Sequence, residues 1–260
     1  MPRIHLTQVD STSTYARQLI SQGKELDDFT VVDADYQTGG RGQRGNTWES
    51  QPGKNLLFTI VCHPTFLPAN RQFILSQAIA LAVERTLSHR ISQAEKPGSV
   101  ANQSRMGQIT VKWPNDIYWN DRKISGTLIE CNLMGSQIKD CIVGTGININ
   151  QTHFESEAPN PVSLKQITGK ETDRETLLTE VVSQFRSLYE EIRQGNAQSI
   201  VSEYKSKLYR RTGFHPFAEP GGQPFEAQIA DVDPSGYLTL QLRDGTQKRY
   251  EFKEVRFILQ

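Results

Sequence analysis

A segment rich in glycine and arginine between residues 37 and 48 carries the strongest chemical signal in the chain. Four glycines and two arginines lie within the seven residues from Gly39 to Gly45. Glycines allow successive backbone N–H groups to point at one anion, and arginines donate paired hydrogen bonds to phosphate or carboxylate. A hairpin loop with solvated arginines is the alternative, but two arginines followed by Trp48 are more than a turn requires. The segment therefore predicts an anion-binding loop.

Three familiar phosphate-binding motifs do not account for this loop. The spacing Gly40-x-Gly-x-x-Gly45 matches the dinucleotide fingerprint, but the residues after it lead into a strand and not into a helix. No Gly-Lys-Ser/Thr follows, which excludes a Walker A loop, and the chain contains no His-Arg-Asp or Asp-Phe-Gly motif of a protein kinase. We therefore expect phosphate binding on a different scaffold.

A second chemical cluster consists of Lys-Trp-Pro-Asn-Asp at residues 112–116, followed by Lys123. A lysine and an aspartate placed across a hairpin turn could neutralise phosphate and orient an amine or a metal. The alternative is an ordinary salt bridge on the surface. Gly126 would allow a ligand or another backbone to approach closely. Residues 144–150 are a third candidate, a strand that ends in glycines and amides or simply turns there.

The hydrophobic pattern indicates the elements that must position these clusters. Predicted helices cover residues 10–23, 70–89, 173–194 and 199–208, and predicted strands cover 29–36, 55–62, 109–113, 117–119, 123–130 and 141–149. The strands and helices do not alternate strictly, so we predict an α+β domain with a mixed sheet over residues 1–210. Residues 92–108 show no periodicity and are predicted to be a mobile insertion.

The composition changes after residue 210. Alternating strands at 225–232, 237–242, 247–252 and 255–258 are separated by turn sequences such as Asp244-Gly245. They predict a small all-β barrel over residues 211–260.

Composition and charge exclude several function classes. The 29 Lys+Arg and 29 Asp+Glu residues give zero net charge, which argues against non-specific DNA binding. No apolar run approaches the roughly 20 residues of a membrane helix, and the N-terminus does not resemble a signal peptide. The three cysteines and five histidines form no C-x-x-C or H-x-x-x-H motif. We therefore expect a cytoplasmic protein that does not contact membranes and has neither disulfides nor a zinc site.

Together these motifs resemble those of biotin protein ligases, also called biotin–acetyl-CoA-carboxylase ligases. The resemblance is carried by Asp10-Ser-Thr12, Gln37, Gly40-Arg-Gly-x-Arg-Gly-x-x-Trp48, Lys112-Trp-Pro-Asn-Asp116, Lys123-x-x-Gly126-x-Leu-x-Glu130 and Gly144-x-Gly-Ile-Asn148. Their order and spacing agree over residues 10–150, and the Lys-Trp-Pro-Asn-Asp element is specific. The resemblance implies a catalytic domain related in fold to class II aminoacyl-tRNA synthetases, followed by an SH3-like β-barrel.

The resemblance also implies a reaction and its residues. ATP would activate biotin as biotinoyl-5'-AMP, and biotin would then be transferred to a lysine of the biotin carboxyl carrier protein of a biotin-dependent carboxylase. Biotin would lie against Ser11, Thr12, Gln37, Gly40, Arg41, Lys123, Gly126 and Gly144. ATP would lie against Gln43, Arg44, Asn46, Trp48, Asn115, Asp116 and Asn148. The implied catalytic residues are Lys123, Asp116, Arg41 and Lys112, and Mg²⁺ would be carried by the ATP phosphates without a metal site on the protein.

The sequence departs from the family pattern at four positions. Gln43 and Asn46 stand where many members carry arginine, Ser13 replaces a frequent asparagine, and Thr127 replaces a branched aliphatic residue. Members that are also repressors carry a DNA-binding domain before the Ser-Thr motif. The motif begins here at residue 11, so a single-function enzyme that does not bind DNA is expected.

Two other functions and the oligomeric state are left open by the sequence. A lipoate–protein ligase has the same fold but carries an Arg-Arg-x-x-Gly-Gly-Gly element that this chain lacks. A non-catalytic biotin-binding regulator would not need Lys112, Asp116 and Lys123 together. The sequence does not determine whether the chain forms a homodimer.

Overall fold

A seven-stranded sheet supports the predicted site. Its strands are β1 (Arg3–Val9), β2 (Thr30–Gln37), β3 (Leu56–Cys62), β4 (Ile109–Lys112), β5 (Asp116–Trp119), β6 (Arg122–Met134) and β7 (Gln137–Ile147). In the computed structural model, which describes residues 2–42, 47–94, 107–155 and 160–259, their order across the sheet is β1-β2-β3-β7-β6-β5-β4. β1 runs parallel to β2, whereas the other neighbours are antiparallel. The prediction of an α+β domain with a mixed sheet is confirmed.

Helices cover both faces of this sheet. They are α1 (Thr12–Ser21), α2 (Phe73–Ala94), α3 (Leu164–Thr168), α4 (Arg174–Arg193) and α5 (Ala197–Ser206). Successive strand residues point to opposite faces, so Val61 packs with Ala16 of α1, whereas Ile60 belongs to the larger core with α2 and α4. The face that carries α1 is only partly covered by helix, which leaves room for a cleft.

The larger core lies on the opposite face, between the sheet and α2. Helix α4 contacts α2 and buries Phe185 and Tyr189 against Phe29, whose ring meets that of Tyr189 edge-on at 4.9 Å. The Asp173 carboxylate accepts a hydrogen bond of 2.8 Å from Thr176 N and so caps α4. The structure agrees to within one residue with the helix predicted at residues 173–194, since its apolar stripe and its cap both mark its bounds.

The last part of the chain forms a second, antiparallel sheet. Its strands are β8 (His215–Ala218), β9 (Phe225–Val232), β10 (Leu238–Leu242), β11 (Gln247–Tyr250) and β12 (Arg256–Phe257), in the order β11-β10-β9-β8-β12. This arrangement agrees with the predicted SH3-like unit. Trp113 Nε1 donates a 2.9 Å hydrogen bond to Gly236 O and ties this unit to the larger one. The predicted boundary at residue 210 falls between α5 and β8, and it stays a prediction.

Several elements differ from the sequence prediction. β1, α3 and β8 are not predicted, since each is a short or edge element with a weak apolar pattern. Residues 92–94 continue α2 and do not belong to the predicted insertion, of which residues 95–106 lie outside the described part of the chain. The hairpin of β6 and β7 extends beyond its apolar residues, because Asn132 Nδ2 donates a 2.7 Å hydrogen bond to Asp140 across the polar end of the pair.

The helices and the cysteines of the structure concern membrane insertion and disulfide formation. Among the helices of the described residues, none has the length and apolar character that crossing a bilayer requires. Cys62, Cys131 and Cys141 are free thiols.

Candidate active site

A cleft of about 1060 Å³ opens on the sheet face that carries α1. Four parts of the chain meet there: the start of α1, the loop after β2, strands β5 to β7, and the segment that follows β11. The predicted site residues that line it are Ser11, Thr12, Gln37, Arg41, Trp48, Lys112, Asp116, Lys123, Gly126, Gly144 and Asn148. Residues that are more than 100 positions apart in the sequence therefore share one cavity.

A β-bulge in β6 directs Lys123 into the cleft. Ile117 pairs with Ser125 and Tyr118 pairs with Lys123, so Ile124 is an extra residue on β6. A bulge changes the face to which the neighbouring side chain points, and Lys123 thereby shares the cleft face with Gly126. Lys123 Nζ donates a 2.7 Å hydrogen bond to Asp116 Oδ2. A methyl group at Gly126 would lie 3.1 Å from Lys123 Nζ, so glycine leaves the space that the lysine uses.

The start of α1 contributes a chain of buried hydroxyl groups. The backbone N and the Oγ1 of Thr12 both donate to Gln37 Oε1, at 2.8 and 3.0 Å. Thr12 Oγ1 lies 2.8 Å from Thr59 Oγ1, which in turn lies 3.0 Å from Ser13 Oγ. Because each hydroxyl has a single proton, Thr59 donates to Thr12 and Ser13 donates to Thr59. The Ser13 oxygen therefore keeps its lone pairs for an N–H donor of a ligand.

Glycines make the floor of the cleft flat. A Cβ at Gly144 would lie 2.1 Å from Ser13 Oγ, and a Cβ at Gly146 would lie 2.5 Å from Cε2 of Trp48. Real side chains do not approach so closely, so both positions need glycine for packing. The strand that the sequence marks as rich in glycine and amide thus brings its backbone directly under α1 and the indole ring.

The loop after β2 is closed by backbone pairing at its base. Trp48 N donates a 2.9 Å hydrogen bond to Gly40 O, and Arg41 forms an antiparallel bridge with Thr47. The indole ring of Trp48 lies 5.8 Å from Lys123 Nζ, and its Nε1 is buried without a hydrogen-bond partner among the described residues. Such an atom fits a ligand that supplies an acceptor.

Three of the residues implied to contact ATP lie outside the described part of the chain. They are Gln43, Arg44 and Asn46. Gly40 does not line the cleft itself, but a Cβ there would lie 3.3 Å from the Gln37 amide and 2.5 Å from Trp48 O.

Lys112 lies between the two sheets. Its Nζ donates a 3.1 Å hydrogen bond to the Tyr118 hydroxyl and lies 5.5 Å from the centre of the Phe257 ring. Burial lowers the pKa of Lys112, although the carboxylate of Asp116 opposes this shift. Burial also raises the pKa of Tyr118, with a further contribution from Asp116. The tyrosine therefore stays protonated and presents a hydroxyl beside the amine.

The two predicted asparagines have different surroundings. Asn115 Nδ2 donates a 2.9 Å hydrogen bond to Ser76 of α2, so its side chain holds the turn before β5 and does not line the cleft. Asn148 lines the cleft, and its Oδ1 is buried with no partner in the described ranges. Its backbone is fixed, since Asn148 N donates to Ile124 O and Leu164 N donates to Asn148 O.

The C-terminal unit supplies cleft residues that the sequence does not reveal. Phe252, Arg256 and Phe257 line the same cavity as Lys112 and the predicted site residues. No motif marks them, because their role depends only on how the second sheet packs on the first. Within residues 2–42, 47–94, 107–155 and 160–259, no group of three or more His, Cys, Asp or Glu side chains could hold a metal ion.

Comparisons with known proteins agree with this architecture. Residues 6–148 match the model of the biotin/lipoate A/B protein ligase family. The bifunctional ligase/repressor BirA of Bacillus spizizenii is 26% identical, over 95% of this chain and 71% of its own length. The biotin–[acetyl-CoA-carboxylase] ligase of Paracoccus denitrificans is 27% identical, over 93% of this chain and 95% of its own length.

A solved structure is similar over almost the whole chain. It is the biotin protein ligase of Aquifex aeolicus in complex with biotin and ATP, with a TM-score of 0.76 and 25% sequence identity, and it covers 99% of both chains. The likeness therefore includes the C-terminal sheet as well as the larger one.

Proposed function

This chain belongs to the biotin/lipoate A/B protein ligase family and is a biotin ligase, and we propose that it joins biotin to a carrier lysine in two steps. In the first step ATP activates biotin as biotinoyl-5'-AMP. In the second step the amine of a lysine on the biotin carboxyl carrier protein displaces AMP. The observation that carries this proposal is the Lys123–Asp116 pair, which lines the same cleft as the hydroxyls of α1 and Arg41 of the arginine loop (residues 37–48).

The hydroxyl chain suits the ring end of biotin. A ureido group has two N–H donors and one carbonyl acceptor, and the lone pairs of Ser13 and the Gln37 amide offer both kinds of partner. The flat floor at Gly144 leaves room for a fused ring system. The valeryl chain would then run along Gly126, which places the carboxylate near Lys123 and Arg41.

The first step needs positive charge, because an anionic acid attacks an anionic phosphate chain. A carboxylate oxygen of biotin forms a bond to the α-phosphorus, and the bond from that phosphorus to pyrophosphate breaks. We propose that Lys123 and Arg41 stabilise the charge on the carboxylate and the α-phosphate. Lys112 adds a further amine near Asp116. Trp48 and Asn148, whose buried polar atoms are unpartnered in the described chain, would hold the adenosine.

The second step needs a neutral amine. The ammonium group of the carrier lysine loses a proton to water, and its nitrogen forms an amide bond to the acyl carbon. A second proton leaves the nitrogen for water as the bond to AMP breaks. Asp116 is the candidate to orient this amine and to stabilise the positive charge that develops on its nitrogen during the attack, since Oδ2 contacts Lys123 while Oδ1 lies over Gly126. The C-terminal unit lines the cleft together with Lys112, and the carrier would approach along this side.

Mg²⁺ bound to the ATP phosphates would add positive charge in the first step, and Asp116 is a carboxylate of the cleft lining that could contact it. The absence of DNA binding stays a prediction from the sequence, which leaves the oligomeric state open.

Labelled substrates test the proposed function directly. The chain is incubated with ATP, Mg²⁺ and either radiolabelled biotin or radiolabelled lipoate, and the acyl adenylate is separated by thin-layer chromatography. We expect an adenylate from biotin alone, and transfer of the label to a biotin carboxyl carrier domain. A carrier in which the acceptor lysine is replaced by arginine serves as the control. An adenylate from lipoate alone, or label on the arginine carrier, would contradict the proposal.

A further inference from the structure

Glu130 on β6 lies where helix α1 and the arginine loop meet. Arg17 of α1 contacts Glu130 Oε2, and Nη2 of Arg41 lies 3.8 Å from Glu130 Oε1. Glu130 pairs with Ile142, which packs against α1, so Glu130 lies on the cleft face of the sheet in line with Gly126. One carboxylate therefore joins the strand that carries Lys123, the helix that carries the hydroxyl chain and the loop that carries Arg41.

We propose that Glu130 is a positioning residue that aims the Arg41 guanidinium at the anionic end of the substrate. This inference rests on the proposed function, because the substrate anion is the carboxylate of biotin or the α-phosphate of ATP. The backbone of Arg41 is already fixed by its bridge to Thr47. The long side chain of Arg41 can still turn, and the Glu130 carboxylate beside its guanidinium restricts the directions that it takes.

The charge balance of this cluster favours an incoming anion. Two guanidinium groups and one carboxylate carry a net charge of +1. Each arginine uses a different oxygen of Glu130, so Arg17 continues to neutralise the carboxylate when Arg41 turns to a ligand. Glu130 is thus not left as an unpaired charge, and the charge of Arg41 is available to the substrate.

The distances also suit an exchangeable contact. The 3.8 Å between Arg41 Nη2 and Glu130 Oε1 is an ion pair, but it is too long for a hydrogen bond. Arg41 can therefore donate its hydrogen bonds to a ligand oxygen while its ion pair with Glu130 stays in place. The Glu130 side chain is 33% exposed and that of Arg41 is 44% exposed, so water screens the pair and its effect is modest.

The test compares biotin binding by calorimetry in matched variants. Glu130→Gln keeps the shape and removes the charge, and we expect the Kd for biotin to rise about two- to fivefold, the range of exposed ion pairs. Glu130→Asp restores the charge and is expected to recover part of the affinity. Glu203→Gln is the matched control, because the Glu203 carboxylate also pairs with an arginine and is 30% exposed, but it lies on the far side of the sheet. It should leave the Kd unchanged.

A double-mutant cycle separates the two arginines. In the Arg41→Gln background, Glu130→Gln should have no further effect on the Kd for biotin, whereas in the Arg17→Gln background it should still weaken binding. An unchanged Kd in Glu130→Gln would overturn the inference, as would a coupling to Arg17 alone, since Glu130 would then act only through α1. If the wild-type chain itself fails to bind biotin, the proposed function fails and the inference fails with it. If the wild-type chain binds biotin and the Glu130→Gln variant has the same Kd, the result contradicts this inference but not the proposed function.

Discussion

Lys123 Nζ donates a 2.7 Å hydrogen bond to Asp116 Oδ2, so these two charged groups of the cleft lining neutralise each other. Asp116 begins β5 and Lys123 follows the start of β6, and the bulge at Ile124 brings their side chains to the same face. An anionic substrate can bind to Lys123, and the amine of a second substrate can bind to Asp116. We therefore expect Lys123 to act mainly in the first proposed step and Asp116 mainly in the second.

Removing the positive charge of Lys123 should strongly lower the rate of the first step. We expect Lys123→Ala to lower the rate of biotinoyl-AMP formation by about 100-fold or more, the size of one lost charged contact in a transition state. Lys165→Ala is the matched control, because Lys165 pairs with Glu171 at 2.8 Å and is 33% exposed, compared with 28% for Lys123. The rate is measured as pyrophosphate release, and circular dichroism checks the fold. A normal rate in a folded Lys123→Ala variant would exclude this role.

Removing the negative charge of Asp116 should mainly lower the rate of the second step. Asp116→Asn keeps the size of the side chain but removes its charge, and we expect transfer from preformed biotinoyl-AMP to the carrier lysine to slow by about 100-fold. Adenylate formation should fall less, so the adenylate should accumulate and hydrolyse. Single-turnover experiments separate these steps. If transfer is unchanged and only stability is lost, Asp116 has a structural or metal-binding role.

Trp48 is expected to contribute to nucleotide binding. Its half-buried ring lies over Gly146, and stacking of a base on an aromatic ring is worth roughly 1–3 kcal/mol. Trp48→Ala should therefore raise the KM for ATP by about 5- to 150-fold, and that for biotin much less. Trp48→Phe keeps an aromatic face and should retain most of the affinity. Equal effects of Trp48→Ala on both substrates would indicate a packing role instead.

Lys112 gives a prediction that depends on pH. Burial lowers its pKa in the folded protein, so the charged amine opposes folding. Below the folded-state pKa, the charge lowers the free energy of unfolding by its full amount. This loss of stability disappears as pH rises from the folded-state pKa to the unfolded-state pKa of about 10.4. Lys112→Met should therefore be at least as stable as the wild type at pH 7, with a smaller advantage near pH 10, while biotin transfer falls. Denaturant unfolding at both pH values measures this, and a variant that loses stability at pH 7 would show that the amine supports the fold.

The floor of the cleft should not tolerate a methyl group at Gly144. A Cβ there would lie 2.1 Å from Ser13 Oγ, which is held by its hydrogen bond to Thr59. Gly144→Ala should displace the hydroxyl chain, cost about 1–3 kcal/mol of stability and weaken biotin binding by about tenfold or more. Gly222→Ala is the control, since its new Cβ would meet Glu219 O at an ordinary 3.4 Å. If Gly144→Ala binds biotin normally, α1 does not form the ring site.

Much of the framework follows from local sequence patterns. The helix at residues 173–194 has a complete apolar stripe and a capping aspartate, and both act within the element itself. β1 is an edge strand, and its inward residues Ile4 and Leu6 are only half-buried. Because an edge strand needs few apolar residues, its sequence does not reveal it. Such a strand is defined by its neighbour β2 more than by its own composition.

The residue types of the site and their order along the chain can be read from the sequence, because motifs and periodicity are properties of short segments. The directions in which those side chains point depend on the tertiary structure. The bulge at Ile124 turns Lys123 toward Asp116, whereas Asn115, one residue before Asp116, is drawn to Ser76 of α2. Glu130 meets Arg17 and Arg41 for the same reason. Strand register and the packing of distant segments set these contacts, and no local pattern encodes the register between strands far apart in the chain.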